Sequence, residues 1–442
     1  FARAEARARE RVAAEPDDPD ALLVLARVLG LRLKDREALE VAVHGLSVAA
    51  DRGPFLGLLH VIHTRAGQRE EAQRIRARLV AEAPDGPDAW LAQMTRTDVT
   101  LEERWEQLKG WVAERPDELR VHLSTVSQEA VTGAGDACFR AALERFPEAQ
   151  GLLRYFRLQG LSCSDPASAL AALARWFPAR EQDLDLLCLE AELLLALDQR
   201  AAAQARAELA CRLDPSSLRA WTWLLTSVKR LGDPALLRTA AERALNAVAL
   251  EDRWRFEHEL GYLALRDRRN GDALRHARAM GSGALVLGAR AALEATALRC
   301  LGRGEEALEV VDAWTRAEPR DPRAWTERAK HLSAAGRHAE VEPCAETAVD
   351  LDPSQGVAWE LLAGARFGLG ARGERLERPL HEALRLGVDT PGLRLMLATV
   401  AFEAGRFAEA RAHVDAGRAA RTPEPVLADL ELLDRRLQAR GL

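Results

Sequence analysis

Glycines recur in this chain at a fixed interval. Gly302, Gly336 and Gly370 stand 34 apart, and Gly405 follows after 35. Gly232 lies close to two such intervals before Gly302, and Asp198 stands one interval before Gly232, in the same slot. Trp325 and Trp359 are 34 apart, as are Pro319 and Pro353, while Pro16 and Pro84 are two intervals apart. Three residue types repeating in one phase mark a chain built from equal units. A period of about 20 to 50 residues belongs to arrays in which each unit packs on its neighbours. Length constrains the fold less: 442 residues would suggest about three ordinary domains, but an array fills them without a break.

Residues 322–355 show what one unit does. Trp325, Ala329 and Leu332 fall at i, i+4 and i+7, one face of an amphipathic helix. Gly336 ends that helix, because glycine tolerates the left-handed backbone of a helix terminus. A second helix carries Val341, Ala345 and Ala348 and ends at Leu351-Asp352-Pro353. Proline cannot continue a helix but can open the next one. Alanine at facing positions lets the two helices approach closely, and tryptophan fills the gap between neighbouring units.

This pattern resembles the tetratricopeptide repeat (TPR): W-x2-L-G-x2-Y, then A-x3-F-x2-A, then P, in about 34 residues. Trp221, Leu224, Leu225, Val228, Gly232, Leu237, Ala241 and Ala244 match its slots by type. So do Ala291, Ala295, Leu298, Gly302, Ala307, Val311 and Pro319. Leu187, Ala191, Leu194, Ala203, Ala207 and Ala210 with Asp214-Pro215 fit as well, and Gly405, Phe407 and Ala410 carry the last clear unit. The resemblance implies an all-α fold: a right-handed α-solenoid of about a dozen antiparallel helix pairs, a TPR-like superhelix.

The expected organisation has four parts. TPR-like repeats cover 1–86 and begin inside a repeat. Residues 1–14 read as a second helix, with Ala4 and Ala8 in its small slots and Pro16 ending it. Degenerate helical repeats cover 87–183, where Ala141-Ala142-Leu143 before Phe146-Pro147 is echoed by Ala171-Ala172-Leu173 before Phe177-Pro178. These lie about 30 residues apart, so the units are shortened, and Trp90, Trp105 and Trp111 leave the usual slots. Regular repeats cover 184–424. The stretch 425–442 reads as a capping helix, with Leu427, Leu430, Leu433 and Leu437 on one side and charges such as Asp429, Asp434 and Arg436 elsewhere.

Charge and motifs narrow the function. The formal net charge is −6 and the pI about 6.0, which removes the basic footprint of a general nucleic-acid binder. No run of 18 apolar residues exists, so no membrane span is expected. The six cysteines are scattered without a CxxC, as in reduced thiols of a cytoplasmic protein. Arginine far outnumbers lysine, with heavy Ala and Leu use, as in bacterial genomes rich in G and C. Nucleotide-binding, nucleophile-elbow and metalloprotease motifs are absent. His60 and His63, three apart on a helix, could hold a metal, but they occupy packing slots and no third ligand is arranged with them. Glu305-Glu306 and Glu70-Glu71 open second helices, where the helix dipole favours negative charge. The chain therefore reads as no enzyme, with no catalytic residue, cofactor or metal.

In TPR arrays the first helix of each unit lines a groove, and the residues flanking its buried stripe face the ligand. The resemblance places Arg219, Thr222, Thr226 and Lys229 there, then Arg255, His258, Tyr262 and Arg266, then Arg299, then Arg323, Thr326 and Lys330. Trp221, Trp325 and Trp359 fill packing slots, while Trp223 and Trp254 fall outside them as candidates for an exposed contact. The planar forks of arginine suit carboxylates. The function expected is a protein-interaction scaffold or adaptor that captures an acidic peptide or protein in its groove, the groove lying in 215–335. The alternative is a sensor or substrate-recruiting region of a larger enzyme whose catalytic domain lies N-terminal to Phe1. Far-UV circular dichroism should show helix throughout; appreciable β content would overturn the repeat assignment.

Overall fold

Helix and turn alternate along the described residues. The computed structural model describes residues 2–31, 34–65, 68–82, 88, 89, 92, 100–281, 283, 286–419 and 424–440. Phe1, Pro84, Trp90 and the expected boundary at 86 and 87 lie outside them. Among the described residues there are 25 α-helices, three short 3-10 turns and no strand. The fold is all-α, a stack of antiparallel helix pairs. The chain divides into two compact units, Phe1–Arg253 and Trp254–Leu442.

The second unit holds five pairs: Trp254–Arg266 with Asn270–Ala279, Leu287–Cys300 with Gly304–Ala317, Pro322–Ala334 with His338–Leu351, Gly356–Gly368 with Glu374–Arg385, and Pro391–Glu403 with Phe407–Ala419. Each helix packs on the next, and the first helices of successive pairs also touch one another. Local chemistry sets the punctuation. Asp321 accepts the Arg323 backbone N–H and Thr390 that of Leu393, each just before a proline at the first helical position. First helices end where Gly302, Gly336, Gly370 and Gly405 adopt φ between 71° and 77°. Arg268 takes the same left-handed conformation at φ 58°. It stands one repeat before Gly302, so this turn uses the slot without its glycine and carries the strain of a Cβ there.

Packing follows the small residues. Ala329, Ala345, Ala348, Ala363 and Ala383 are wholly buried in one continuous core with Leu332, Val341, Leu362 and Leu376. A second contact recurs between pairs. Trp325 Nε1 donates to Pro319 O at 2.7 Å and Trp359 Nε1 to Pro353 O at 2.9 Å, tying a first helix to the end of the preceding pair. Trp359 is buried beneath Arg378, as expected, whereas Trp325 is only half-buried. The final helix, Glu424–Gln438, buries Leu430, Leu433 and Leu437 against Ala398, Ala401 and Val414. Leu427 stays half-exposed. Asp434, read from sequence as a surface charge, is buried and joined to Arg411 and Arg418.

The first unit opens with Ala2–Ala14, in which Ala8 is buried but Ala4 is exposed. Glu5 takes the enclosed position instead, bonded to Arg9 and to Lys34 at 2.9 Å. The pairs Pro19–Leu31 with Asp35–Val48 and Gly53–Arg65 with Arg69–Glu82 follow, and later the helix Leu101–Glu114. Beyond them the second helices shorten: Ala137–Arg145 and Pro166–Trp176 have 9 and 11 residues. A polar lock stands at the start of the first of them. Glu129, 1% exposed, accepts the backbone N–H groups of Cys138 and Phe139 and pairs with Arg157 at 3.0 Å. Its carboxylate thus caps the next helix from the previous one. Gly160 lets the first helices Leu119–Thr132 and Gln150–Ser164 meet; a Cβ there would fall 2.2 Å from Ser127 O.

Regularity returns in Leu184–Ala196 with Arg200–Leu213 and Leu218–Leu231 with Pro234–Ala247. Leu187, Ala191, Ala203, Ala207 and Ala210 are wholly buried. Gly232 adopts φ 77° and Asp198 φ 57°, so Asp198 does fill the glycine slot. Trp221 Nε1 reaches Pro215 O at 2.8 Å, and His122 Nε2 reaches Pro116 O at 2.9 Å. His122 therefore occupies a tryptophan slot that sequence matching passed over.

Ala329→Glu should cost at least about 3 kcal/mol in thermal or denaturant unfolding, through an unpaired buried charge and overpacking. Ala339→Glu, on the exposed face of the next helix, should change stability by under about 0.5 kcal/mol. Equal effects would break the register. Trp359→Ala should cost about 3–5 kcal/mol and half-buried Trp325→Ala distinctly less.

Candidate functional site

Burial, helix register and charge decide which predicted groove residues can reach a partner. In the first unit Arg219, Thr222, Thr226 and Lys229 share helix Leu218–Leu231. Arg219 is nearly enclosed: its guanidinium donates to Asp185 Oδ1 at 2.8 Å and Tyr155 Oη at 3.1 Å. The hydroxyls of Thr222 and Thr226 donate to the carbonyls of Leu218 and Thr222, both at 2.8 Å. Lys229 is exposed. Trp223, off the packing slot, is half-buried against Leu194, Leu195 and Ala203.

The remaining candidates stand on the first helices of the second unit. The Arg255 guanidinium lies 4.7 Å over the ring of Trp254, which itself packs on Ala277, Met280 and Leu293. His258 meets Tyr262 edge-on, with ring centroids 4.8 Å apart. Arg266 is exposed, 3.5 Å from Asp267. Arg323 forms a two-pronged pair with Asp321, at 3.0 and 2.8 Å. Thr326 is buried, its hydroxyl 2.8 Å from Pro322 O and 2.9 Å from Gln355 Oε1. Many of the cations are thus met by carboxylates or rings a few residues away.

Three of the twelve predicted groove residues, Tyr262, Arg299 and Lys330, are brought together in one cavity of about 570 Å³ with Thr296, Glu327 and His331. Its walls are four successive first helices, and the repeat itself builds it. Tyr262, Thr296 and Lys330 follow one another at intervals of one repeat, so equivalent positions on three helices converge. Arg299 and Ser333 form a second such column, and Leu361 adds an apolar wall. Lys330 Nζ holds Glu327 at 2.7 Å. Arg299 is exposed, and its guanidinium forms no ion pair or hydrogen bond with the described residues. Burial, helped by Glu327 and Glu259, pushes the phenol of Tyr262 up, which keeps it a hydroxyl donor near neutrality. Sequence reasoning missed Glu327 and His331. The signal for His331 was available: one repeat before it stands Ala297 and one repeat after it Ala365, both buried alanines.

A second cavity, about 620 Å³, lies in the first unit beside Arg157, Asp136 and Ser164. The guanidinium there is already engaged by Glu129 and by the carbonyls of Gly135 and Val126. Among the described residues no three His, Cys, Asp or Glu side chains could hold a metal ion. His60 instead points Nδ1 at Ala72 O, 3.0 Å away, and His63 faces Gln68. Glu306 pairs with Arg303 at the start of its helix. The six cysteines are free. No helix among the described residues is long and apolar enough to cross a membrane.

No protein-family model and no curated protein matches the sequence. Solved structures do. The APC/C heterotetramer Cut9–Hcn1 is 12% identical, over 98% of this chain and 86% of that one, with a TM-score of 0.45. A tetratricopeptide repeat protein from Parabacteroides merdae ATCC 43184 is 14% identical, over 57% of this chain and 98% of that one, with a TM-score of 0.45. Yeast Tom70 is 12% identical, over 83% and 85%, also at 0.45. These overlaps say nothing of the residues in the cavity.

Burial holds the imidazole of His331 below its ordinary value; Glu327 opposes this, while Arg299 and Lys330 add to it. The unfolded chain therefore binds more protons than the folded one as pH falls below about 6.5. His331 costs the wild type stability on acidification, so the melting temperature of His331→Gln should fall less between about pH 7.5 and about pH 5.5. Identical slopes would mean the ring is solvated.

Proposed function

We propose that this protein is an interaction scaffold or adaptor that captures an acidic peptide or protein segment on the first-helix face of its second unit. The observation that carries the reading is the cavity in which Arg299 stands without a counter-charge beside Lys330, Tyr262 and Thr296. In a chain of net charge −6, a cation left unneutralised on a recessed wall attracts anionic groups and speeds encounter. Leu361 offers apolar contact beside it, and affinity in such grooves comes from a few anchored side chains. The rest of the predicted face, with Arg255, His258, Arg266, Arg323 and Thr326 in the second unit, would flank the captured segment. Arg219, Thr222, Thr226 and Lys229 would belong to a separate contact of the first unit. Binding, not catalysis, is the role this chemistry fits, and six free cysteines agree with a cytoplasmic setting.

The test is comparative capture from the native host, with the protein and its Arg299→Glu/Lys330→Glu variant immobilised side by side and bound proteins identified by mass spectrometry. A partner held by the wild type should be lost by the double variant while the melting temperature stays nearly the same. Arg323→Glu, whose position is already neutralised by Asp321, should retain most of the binding. Calorimetry with that partner should show affinity falling with salt, since exposed charges are screened over about 10 Å at about 0.1 M. Full binding by the double variant would move the contact elsewhere.

A further inference from the structure

His331 is an exception within its own repeat. The equivalent residues Ala297 and Ala365 are 0% and 1% exposed, and His331 is 5% exposed in the same column. Its Nδ1 is enclosed without a hydrogen-bond partner, and neither ring nitrogen bonds to a described residue. An unsatisfied buried polar group opposes folding, and alanine would fill the column without one. The ring borders the cavity that Arg299, Lys330, Glu327 and Tyr262 also line.

We propose that this cavity is a site where a carboxylate of an acidic peptide and a proton bind together, the carboxylate between Arg299 and Lys330 and the proton on His331. The inference rests on the groove reading above and adds its ligand group and its regulation. Two cations and the single carboxylate of Glu327 leave one net positive charge while His331 is neutral. That balance suits one carboxylate and disfavours a dianion placed close to Glu327. Glu327 favours the imidazolium, but its carboxylate is held by Lys330 at 2.7 Å and makes no hydrogen bond to the ring. Other nearby carboxylates are turned away. Glu259, which also acts on Tyr262, lies 3.9 Å from His258, Glu294 faces Arg278, Asp312 faces Arg328, and Glu342 and Glu346 face Arg366. Glu360, on the helix that supplies Leu361, accepts from Thr390. A ligand carboxylate would supply the hydrogen-bond partner that the His331 ring lacks among the described residues.

The linkage has a definite sign. In the free protein, burial together with the fields of Arg299 and Lys330 disfavours the protonated ring, against the opposing field of Glu327. A bound carboxylate cancels those fields and accepts from the imidazolium, so a solvent proton joins the ring as the ligand binds. Affinity then rises as pH falls.

The test uses the full chain labelled with 13C and 15N at histidine, the His331 signals being those lost in His331→Gln. The probes are an acetylated, amidated triglutamate peptide, its triglutamine counterpart and inorganic phosphate. Triglutamate should raise the titration midpoint of His331, and its Kd should tighten from about pH 8 to about pH 5.5, by at most about tenfold for each pKa unit the midpoint rises. Triglutamine should do neither. Arg299→Gln should abolish the effect with an unchanged melting temperature. A His331 midpoint that triglutamate leaves unmoved overturns the inference, as does an equal response to triglutamine or to phosphate. If the native partner is captured through Arg299 and Lys330 with no pH dependence, the proton coupling fails while the groove reading stands.

Discussion

Two helices can touch closely only where their facing residues are small, and this protein depends on that contact. Ala329 against Ala345 and Ala348, or Ala203 and Ala207 in the first unit, are wholly buried positions at which no side chain keeps the backbones apart. Close approach puts dispersion contacts along the full length of each pair. It also fixes the pair's geometry, so each unit presents a nearly identical surface to the next. The left-handed turn at the end of the first helix completes the unit. It is why Gly232, Gly302, Gly336, Gly370 and Gly405 recur, and why Asp198 and Arg268 accept a strained backbone in the same place.

Between pairs the contact is different in kind. An indole or imidazole N–H reaches the carbonyl of the proline six residues earlier, at Trp221, Trp325, Trp359 and His122. That carbonyl lies where a second helix has ended and its acceptors lack partners within the helix, so the bond satisfies a helix terminus while locking the following helix to it. Where the repeat shortens, in the helices between Leu119 and Trp176, the lock becomes ionic. Buried Glu129 and Arg157 then replace part of what regular packing supplies elsewhere.

The cavity of the second unit arises from the same regularity. Because equivalent positions superpose from one pair to the next, residues one repeat apart line up in columns, and Tyr262, Thr296 and Lys330 become neighbours without any local sequence signal joining them. What distinguishes the site is departure from the repeat. Arg299 lacks a counter-charge and His331 replaces an alanine, whereas Arg323 and Arg219 satisfy their charge within the fold. Sites that bind something are expected where local consistency is given up.

The sequence by itself determined the unit: its length, its helix pair, the alanine and leucine stripe, the turn glycines, and Asp198 as their substitute. These follow from local periodicity and backbone preference, which need no knowledge of distant residues. It also pointed to Tyr262, Arg299 and Lys330, because their flanking position on a first helix is a matter of helical phase. Only the tertiary structure decided which charges are free. Whether an arginine is available depends on a carboxylate two positions away, as for Arg323, or a whole repeat away, as for Arg219 with Asp185, and helical phase does not reveal rotamer or partner. The burial of Asp434 and of Glu5, the half-exposure of Trp325 and the unpaired ring of His331 were decided in the same way. Each depends on what neighbouring helices bring to the spot, a property of three-dimensional packing.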